Sequence, residues 1–186
     1  MGGFLYTTYM PHIHTEPGQH DHTISIYLIR TDLDEPKVLL HLHRKIGKYA
    51  QFGGHIELNE TPWQAAAHEL KEESGYSLSE VRILQPKNRM KYMTGAVMHP
   101  QPFAHSTIKY PNFYTHAHID IMYAFITEDE PADTPSEDES SDLRLFSKKQ
   151  LIEEANVDPM TRDAALYALD VVLRKWATIP TSEFQL

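Results

Sequence analysis

Three glutamates that one helical turn would bring together are the residues of this chain best suited to chemistry. Glu69, Glu72 and Glu73 stand at positions i, i+3 and i+4, so a helix would present them on one face. Carboxylates at this spacing repel one another unless cations or solvent offset their charges. Oxygen ligands suit hard divalent cations such as magnesium, manganese or calcium. The pattern therefore predicts a metal site, with an acidic helix face exposed to water as the alternative.

Glycines and a capping threonine frame the glutamates. Thr61 and Pro62 are residue types favoured at the N-cap and at the first position of a helix. Gly75 follows the last glutamate, where it is placed to end the helix. Upstream, Gly53 and Gly54 permit backbone angles and close approaches that other residues do not, so a glycine carbonyl could point at a metal ion.

The same helix needs an apolar face that packs on the rest of the protein. Trp63, Ala67 and Leu70 fall roughly opposite the glutamates, and we expect them to pack against a sheet. Ala65 falls on the acidic side, one turn before Glu69, where its methyl group would leave room beside the carboxylates.

Residues 53–76, GGHIELNETPWQAAAHELKEESGY, resemble the signature of the Nudix family. The family pattern is Gly, five residues, Glu, seven residues, and then Arg-Glu-apolar-any-Glu-Glu-any-Gly-apolar. Gly54, Glu60 and residues 68–76 match this pattern with two departures: His68 replaces the family arginine, and Tyr76 fits the last apolar position loosely. Residues 142–151, DLRLFSKKQL, are similar to a strand-to-helix passage in the C-terminal half of the family.

The resemblance implies an α/β fold, specifically an α/β/α sandwich with a mixed sheet, in which the signature forms a loop-helix-loop. It implies hydrolysis of a diphosphate linkage in a nucleoside diphosphate derivative, nucleotide or dinucleotide, with Mg²⁺ or Mn²⁺ as cofactor. By their positions in the motif, Glu72 and Glu73 are the expected principal metal ligands. Glu69 is expected to be a further ligand or the base that activates water, and the Gly53 carbonyl to complete the metal shell.

His68 is the main departure from the family pattern. The family arginine orients a glutamate through a charged, forked hydrogen bond, whereas a histidine has two nitrogens and titrates near pH 6.5. Because His68 lies four residues before Glu72, it can still contact that side chain. We expect an active enzyme whose rate is more sensitive to pH. A catalytically weak or inactive domain that binds a nucleotide or metal is the alternative.

Further candidate residues lie outside the motif. Many family members take an additional carboxylate from a late loop, and Glu137 and Glu139 are the candidates here, with Glu139 favoured as ligand or base. His55 follows the glycine pair closely enough to touch a phosphate or a metal-bound water. Arg44 precedes the motif on a basic loop and could attract phosphates, although a solvated loop is an equal alternative.

Substrate contacts are also expected from the second half of the chain. His116, His118 and Asp120 alternate along a predicted strand and point to one side, where they could line the substrate cleft or hold a transition metal. Tyr92 lies at about the distance past the motif where diadenosine polyphosphate hydrolases of the family carry a tyrosine. Three more aromatic residues could stack on a base or simply pack, namely Tyr110, Phe113 and Tyr114.

The remaining sequence supplies the elements that must position these groups. Apolar patterns predict strands at residues 23–30, 37–43, 81–84, 115–127 and 143–146. Helices are predicted at residues 62–74, 147–154 and 159–176, the second with a capping box. Residues 44–52, 88–111 and 128–141 are predicted loops, the last too polar to pack. This order predicts a mixed sheet with helices on both faces.

Length and composition limit the domain organisation. The 186 residues fit one domain, which we assign to residues 23–186, after a histidine-rich N-terminal arm or edge segment at residues 1–22. The chain has no cysteine, which excludes disulfides, thiolate zinc sites and a cysteine nucleophile. Nudix-fold isomerases that act on isoprenoid diphosphates need a catalytic cysteine, so that activity is disfavoured.

Charge and hydropathy limit the partners. A formal net charge of -9 argues against binding to long nucleic acids but not against a small nucleotide-type diphosphate. The chain shows neither a membrane-spanning apolar run nor a signal peptide, so we expect a cytoplasmic protein without a membrane partner. The family resemblance also allows a homodimer.

Overall fold

A mixed sheet with helices on both faces forms the described part of the protein. The computed structural model describes residues 18–109 and 117–186. The strands are β1 (His20–Arg30), β2 (Lys37–His43), β3 (Lys48–Ala50), β4 (Arg82–Gln85), β5 (Ala104–Lys109), β6 (Ala117–Thr127), β7 (Leu143–Phe146) and β8 (Ala177–Pro180). The helices are α1 (Pro62–Ser74), α2 (Lys148–Glu153) and α3 (Pro159–Tyr167), which continues through a π-helical turn (Ala168–Val172) into α4 (Leu173–Lys175). The main strand order is β3-β2-β1-β6-β4-β8, with β5 paired to β6 and β7 to β2.

Strand β1 lies in the middle of the sheet. One of its edges pairs with β6, and its other edge pairs first with residues 52–56 and then with β2. It runs parallel to β6 over its whole length, and only its last residues pair with β2. Its first half is hydrogen-bonded to residues 52–56. The Ile24 amide donates to the Gly54 carbonyl at 2.9 Å, and the Ile26 amide donates to the Phe52 carbonyl at 2.8 Å. The segment that carries the two glycines is therefore fixed to the centre of the sheet.

Local signals set both ends of α1. The Thr61 hydroxyl accepts from the Gln64 amide at 3.2 Å, and the Gln64 side chain accepts from the Thr61 amide at 2.8 Å. Pro62 occupies the first turn, where its missing amide proton is not needed. Gly75 ends the helix with a left-handed φ of 80°. The predicted start and end of this helix are confirmed.

Alternation along β1 sends its side chains into two cores on opposite faces of the sheet. We call these the α1 face and the α3 face after the helix that covers each. On the α1 face the ring of Trp63 stacks on Phe125 with a centroid separation of 5.9 Å. The β1 residues of this core are Ile24, Ile26 and Leu28. The core of the α3 face includes Tyr27, Ile29, Ala165, Leu169 and Val172.

Most predicted elements and the α/β architecture are confirmed, and the differences concern short strands. Strand β3 lies inside the predicted loop 44–52, β5 inside the predicted surface excursion 88–111, and β8 after the last helix. These strands gain their hydrogen bonds from partners in other parts of the sequence, so their own residues carry a weak signal. Strand β1 begins at His20, which brings the end of the predicted N-terminal segment into the sheet.

Two alanines of α1 were predicted in the wrong environments. Ala65, expected beside the carboxylates, is fully buried in the core of the α1 face, whereas Ala67, expected to pack, is only partly buried. The cause is the glycine segment, which lies so close to the acidic side of α1 that a Cβ on Gly54 would meet Glu69. This side of the helix is therefore covered, and glycine rather than alanine provides the room beside the carboxylates.

The acidic loop between β6 and β7 is attached to α1, although the sequence predicted a stretch too polar to pack. The Ser136 amide donates to the Glu72 carbonyl at 2.8 Å. Lys71 forms an ion pair with Asp133. The loop is held by polar contacts and not by apolar burial, which is why its composition gave no sign of the attachment.

Several predicted features lie outside the described residues. They are residues 1–17 with His12 and His14, the possible stacking residues Tyr110, Phe113 and Tyr114, and His116. Within residues 18–109 and 117–186, no helix is long and apolar enough to cross a membrane.

Replacing Gly75 with alanine should destabilise the protein through a clash as well as through its backbone angle. A Cβ on Gly75 would lie 2.3 Å from the Asp133 carbonyl oxygen, whereas Gly95 has a similar φ of 77° and open space around its Cβ position. We expect Gly95→Ala to lower the free energy of unfolding by about 1–2 kcal/mol and Gly75→Ala by at least about twice as much. Urea denaturation measures both, and equal losses would contradict the close packing of the loop on α1.

Candidate active site

The two glycines of the motif let two carboxylates lie against the segment that pairs with β1. The Gly53 amide donates to Oε2 of Glu73 at 2.6 Å. Gly53 has a φ of 139°, and a Cβ on it would lie 2.1 Å from the Ile24 carbonyl oxygen. A Cβ on Gly54 would lie 2.1 Å from Oε1 of Glu69. The close approach of this segment to β1 therefore requires glycine at position 53, whereas a side chain at position 54 would displace the Glu69 carboxylate.

Burial and repulsion from neighbouring carboxylates raise the pKa of both carboxyls. Burial is the main cause that raises the pKa of Glu69 to about 7; His68 opposes the rise, and the charges of Glu72 and Glu139 add to it. Burial also raises the pKa of Glu73 well above its ordinary value, and the neighbouring Glu69 charge adds to that rise. Ionising both groups together is therefore costly unless a positive charge comes close.

Glu72 is the exposed member of the three helix glutamates and contacts His68, as the spacing predicts. Nε2 of His68 lies 3.1 Å from a Glu72 oxygen, and Nδ1 lies 3.7 Å from a Glu60 oxygen. Burial lowers the pKa of His68, but the nearby carboxylates, Glu72 first, outweigh burial and raise it above its ordinary value. The imidazole thus lies between two carboxylates and keeps its positive charge over a wider pH range.

The acidic loop brings Glu139 to the same cluster. Its negative charge contributes to the raised pKa of both Glu69 and Glu73. The Arg44 guanidinium donates to the Asp138 carbonyl at 2.5 Å and to the Glu139 carbonyl. Arg44, which sequence reasoning offered as a phosphate contact, therefore holds the loop that carries Glu139.

Sequence reasoning missed His41, which lies on β2 beside Glu73. Its Nδ1 is 3.8 Å from Oε1 of Glu73, and its side chain is buried. Neither ring nitrogen has a hydrogen-bond partner in the part of the chain that the structure describes. Burial, and then the charge of His43, lower the pKa of His41 to about 4, so the ring is neutral near pH 7. Its position on β2 was the available signal. His41 lies on the same strand face as Leu39, and Leu39 packs in the core of the α1 face.

The donors at this cluster fit a hard divalent cation. Glu69, Glu72, Glu73 and Glu139 offer carboxylate oxygens, which are the ligands that Mg²⁺ and Mn²⁺ prefer, and the expected contribution of the Gly53 carbonyl stays a prediction. The approach of Glu73 to Gly53 and of Glu69 to Gly54 is the structural observation that favours an ion, because a cation would stabilise these two carboxylates in their ionised forms.

Three predicted site residues are buried on the α3 face, which is the opposite side of the sheet from the glutamates. His55 forms a bridge with Thr23 of β1, and His118 and Asp120 belong to β6. Asp120 accepts hydrogen bonds from the hydroxyls of Thr23 at 2.9 Å and Ser25 at 3.0 Å. Burial raises the pKa of Asp120, and these hydrogen bonds oppose the rise. The structure thus groups His55 with the β6 residues and not with the glutamates.

Tyr92 lies apart from both groups. Its side chain is exposed in the segment between β4 and β5, and its hydroxyl accepts a hydrogen bond from Thr94 at 3.4 Å. Among residues 18–109 and 117–186, no hydrogen bond or ring contact joins Tyr92 to the helix glutamates. Its role toward a substrate stays a prediction.

Known proteins share this fold. The family model described as NUDIX domain matches residues 19–166. A hydrolase of the NUDIX family from Clostridium perfringens is 32% identical over 81% of this chain and 97% of that chain, with a TM-score of 0.67. The C. elegans Ap4A hydrolase is 16% identical over 81% and 97% of the two chains, with a TM-score of 0.54. The NUDIX domain of Shewanella oneidensis NrtR, in complex with ADP ribose, is 13% identical over 87% and 92%, with a TM-score of 0.59.

The second and third of these relatives are similar in fold alone, since their identities are low. Among curated proteins, none matches the chain significantly.

Removing the Arg44 side chain should reduce activity by releasing Glu139. We expect Arg44→Met to lower kcat/KM by about 10-fold or more, as expected when a general acid or base is displaced. Arg174→Met is the matched control, because Arg174 is exposed on α4. In a double-mutant cycle, Arg44→Met should add little to the loss caused by Glu139→Gln. Fully additive losses would instead indicate that Arg44 contacts the substrate directly.

Replacing His68 with arginine should flatten the alkaline side of the pH profile. His68 has a raised pKa, so its positive charge is present at low pH and is lost as the pH rises through that value. Arginine keeps its charge throughout. The ratio of kcat/KM for His68→Arg to that of the wild type should therefore increase by several-fold between about pH 7 and pH 9. His22→Arg, at an exposed position of β1, serves as control, and parallel profiles would sink this assignment.

Proposed function

The chain belongs to the Nudix family of hydrolases, and on that premise we propose that it hydrolyses the diphosphate linkage of a nucleotide or nucleoside diphosphate derivative with Mg²⁺ or Mn²⁺. The observation that carries the proposal is the approach of Glu73 to the Gly53 amide and of Glu69 to Gly54, with the charge of Glu139 near enough to raise the pKa of both carboxyls. A divalent cation bound beside these carboxylates would lower the free-energy cost of ionising them together.

In this proposal the glutamates have different tasks because their environments differ. Glu73 is fixed by the Gly53 amide and is the best-oriented metal ligand. Glu72, exposed and next to His68, is a second ligand on the solvent side. Burial raises the pKa of Glu69, so its carboxylate is a stronger base than that of an exposed glutamate. Glu69 therefore serves as ligand or base, with Glu139 as a further candidate for either task.

The reaction joins a water oxygen to phosphorus and breaks a phosphorus–oxygen bond of the diphosphate, with a carboxylate taking the proton of the water. A bound divalent cation would supply charge neutralisation at the phosphate oxygens and a lowered pKa of the attacking water. The contribution of the protein is to orient the carboxylates and to keep them at the position where charge develops.

The substrate class is argued from the fold relatives and from charge. One relative is named as an Ap4A hydrolase, and another was crystallised with ADP ribose; both ligands contain phosphates joined to a nucleoside. A net charge of -9 does not argue against a small anionic substrate, because a bound metal ion can reverse the local field. We propose Tyr92 as a contact for the base or the distal moiety, because its exposed ring lies on the long segment between β4 and β5.

A substrate panel tests this function most directly. We expect the wild-type protein to cleave at least one of ADP-ribose, dinucleoside polyphosphates, nucleoside triphosphates and nucleotide sugars in the presence of Mg²⁺ or Mn²⁺, with products separated by ion-exchange chromatography. Glu73→Gln and Glu72→Gln should each lower kcat by about 100-fold or more, while activity without a divalent cation should be negligible.

Glu153→Gln is the matched control, since Glu153 is exposed at the end of α2. No turnover of any substrate with either metal would favour a domain that only binds nucleotides. Activity that survives both glutamine substitutions in the signature would refute the site assignment.

A further inference from the structure

A second group of metal-ligand side chains lies on the α3 face of the sheet. Asp21, His55 and His118 each offer one ligand atom, and these atoms lie within 4.8 Å of one another. Nε2 of His55 is 3.7 Å from Oδ2 of Asp21. The two imidazole rings meet edge to face with a centroid separation of 5.0 Å. All three residues are more than nine-tenths buried, with exposures of 1%, 8% and 8%.

The sheet positions these residues through its backbone pairing. Asp21 of β1 stands directly beside His118 of β6 in the parallel register, so both side chains point to the same face. His55 reaches that face because it forms an antiparallel bridge with Thr23, two residues along from Asp21. Three chain segments far apart in sequence thus place their side chains together. Backbone pairing within the sheet holds all three residues.

We propose that Asp21, His55 and His118 bind a divalent transition-metal ion, with Zn²⁺ as the best match. Two imidazoles and one carboxylate are the protein ligands of many open transition-metal sites. Zinc bonds of about 2.0–2.1 Å place tetrahedral ligand atoms about 3.3 Å apart, so the His55–Asp21 pair is within a few tenths of an ångström of that spacing. Three protein ligands leave a fourth position for a water or a substrate atom.

Donor chemistry separates this site from the glutamate cluster. The glutamates offer only oxygen, which suits Mg²⁺ and Mn²⁺, whereas imidazole nitrogen selects the more polarisable transition metals. The two sites also lie on opposite faces of the sheet, because His55 shares its face with Thr23 and the neighbouring Ile24 packs toward α1. The proposed ion is therefore additional to the one that the hydrolysis requires, and its binding does not depend on the proposed function.

The sequence had suggested a different set of ligands for a transition metal, namely His116, His118 and Asp120. In the structure Asp120 accepts hydrogen bonds from two hydroxyls of β1, which occupy its oxygens. Asp21 takes the carboxylate position beside His118 instead, since the parallel register places these two residues side by side. His116 lies outside the described residues.

Because the site is buried, metal binding should stabilise the fold. Burying an ionised carboxylate costs free energy unless a cation lies beside it, and a transition metal bound by two neutral imidazoles supplies that positive charge. Because His55 belongs to the segment 52–56, its coordination would also fix that segment onto β1 and β6. Metal binding should then raise the melting temperature of the protein as well as give a spectroscopic signature.

Cobalt substitution tests the site on the full-length, tag-free protein. We expect titration with Co²⁺ to give visible ligand-field bands that saturate at one ion per chain. Excess Zn²⁺ should abolish the bands, and excess Mg²⁺ should not. His55→Ala and His118→Ala should each weaken Co²⁺ and Zn²⁺ binding by more than about 100-fold. Loss of a group that only hydrogen-bonds to a metal ligand costs about 10–100-fold, and loss of the ligand itself should cost more. Circular dichroism shows whether each variant is folded, and Asp21→Asn provides a third variant of nearly equal size.

Controls distinguish this site from the glutamates and from other histidines. Binding should survive Glu69→Gln/Glu73→Gln, His22→Ala on the adjacent exposed position of β1, and His12→Ala/His14→Ala. Loss of binding in the glutamate double variant, or in either of these histidine variants, would overturn the proposal. So would a wild-type protein that gives no saturable Co²⁺ bands at micromolar metal, whatever the variants do.

Discussion

The Glu73 carboxylate reaches the backbone amide of Gly53, and most of the site depends on that approach. A Cβ on Gly53 would meet the backbone of β1, and one on Gly54 would meet Glu69. Because glycine has no Cβ, neither clash occurs. Residues 52–56 therefore lie between β1 and α1 and contact both. Both carboxylates are thereby withdrawn from water, and their pKa values are raised mainly by this burial, with repulsion from neighbouring carboxylates adding to the rise.

Repulsion within the cluster must be offset elsewhere in the structure. The acidic loop adds Glu139 to a region that already contains the helix glutamates, which Coulomb's law disfavours. Contacts around the cluster hold the loop in place, including the Arg44 hydrogen bonds, the Lys71–Asp133 ion pair and the Ser136 amide on the helix end. None of these loop contacts uses a carboxylate oxygen of Glu69, Glu73 or Glu139, although Oε2 of Glu73 accepts from the Gly53 amide.

Features set by nearby residues could be predicted from the sequence, and features set by distant pairing could not. The capping box and the terminal glycine determine α1 within a few residues, and Ser147 with Gln150 does the same for α2. By contrast, β5 and β8 are defined by partners elsewhere in the sheet.

The same distinction applies to the candidate sites. The helix glutamates could be found because one motif contains them all. No motif marks His41 or Asp21: His41 meets Glu73 through tertiary packing, and Asp21 meets His118 through the register of the sheet. Alternation did place His118 and Asp120 on one face, but it could not tell which residues of β1 stand beside them.

The parallel pairing of β1 with β6 also bears on how the molecule folds. Thr23 and Asp120, which are hydrogen-bonded to each other, are 97 residues apart in the chain. Contacts of such separation close a long loop and form slowly compared with a capped helix, whose interactions are local. A partly folded chain can therefore possess the signature helix and still lack the central strand pair. The metal-ligand residues of the α3 face acquire their geometry only when that strand pair forms, whereas the glutamates are aligned by the helix that carries them.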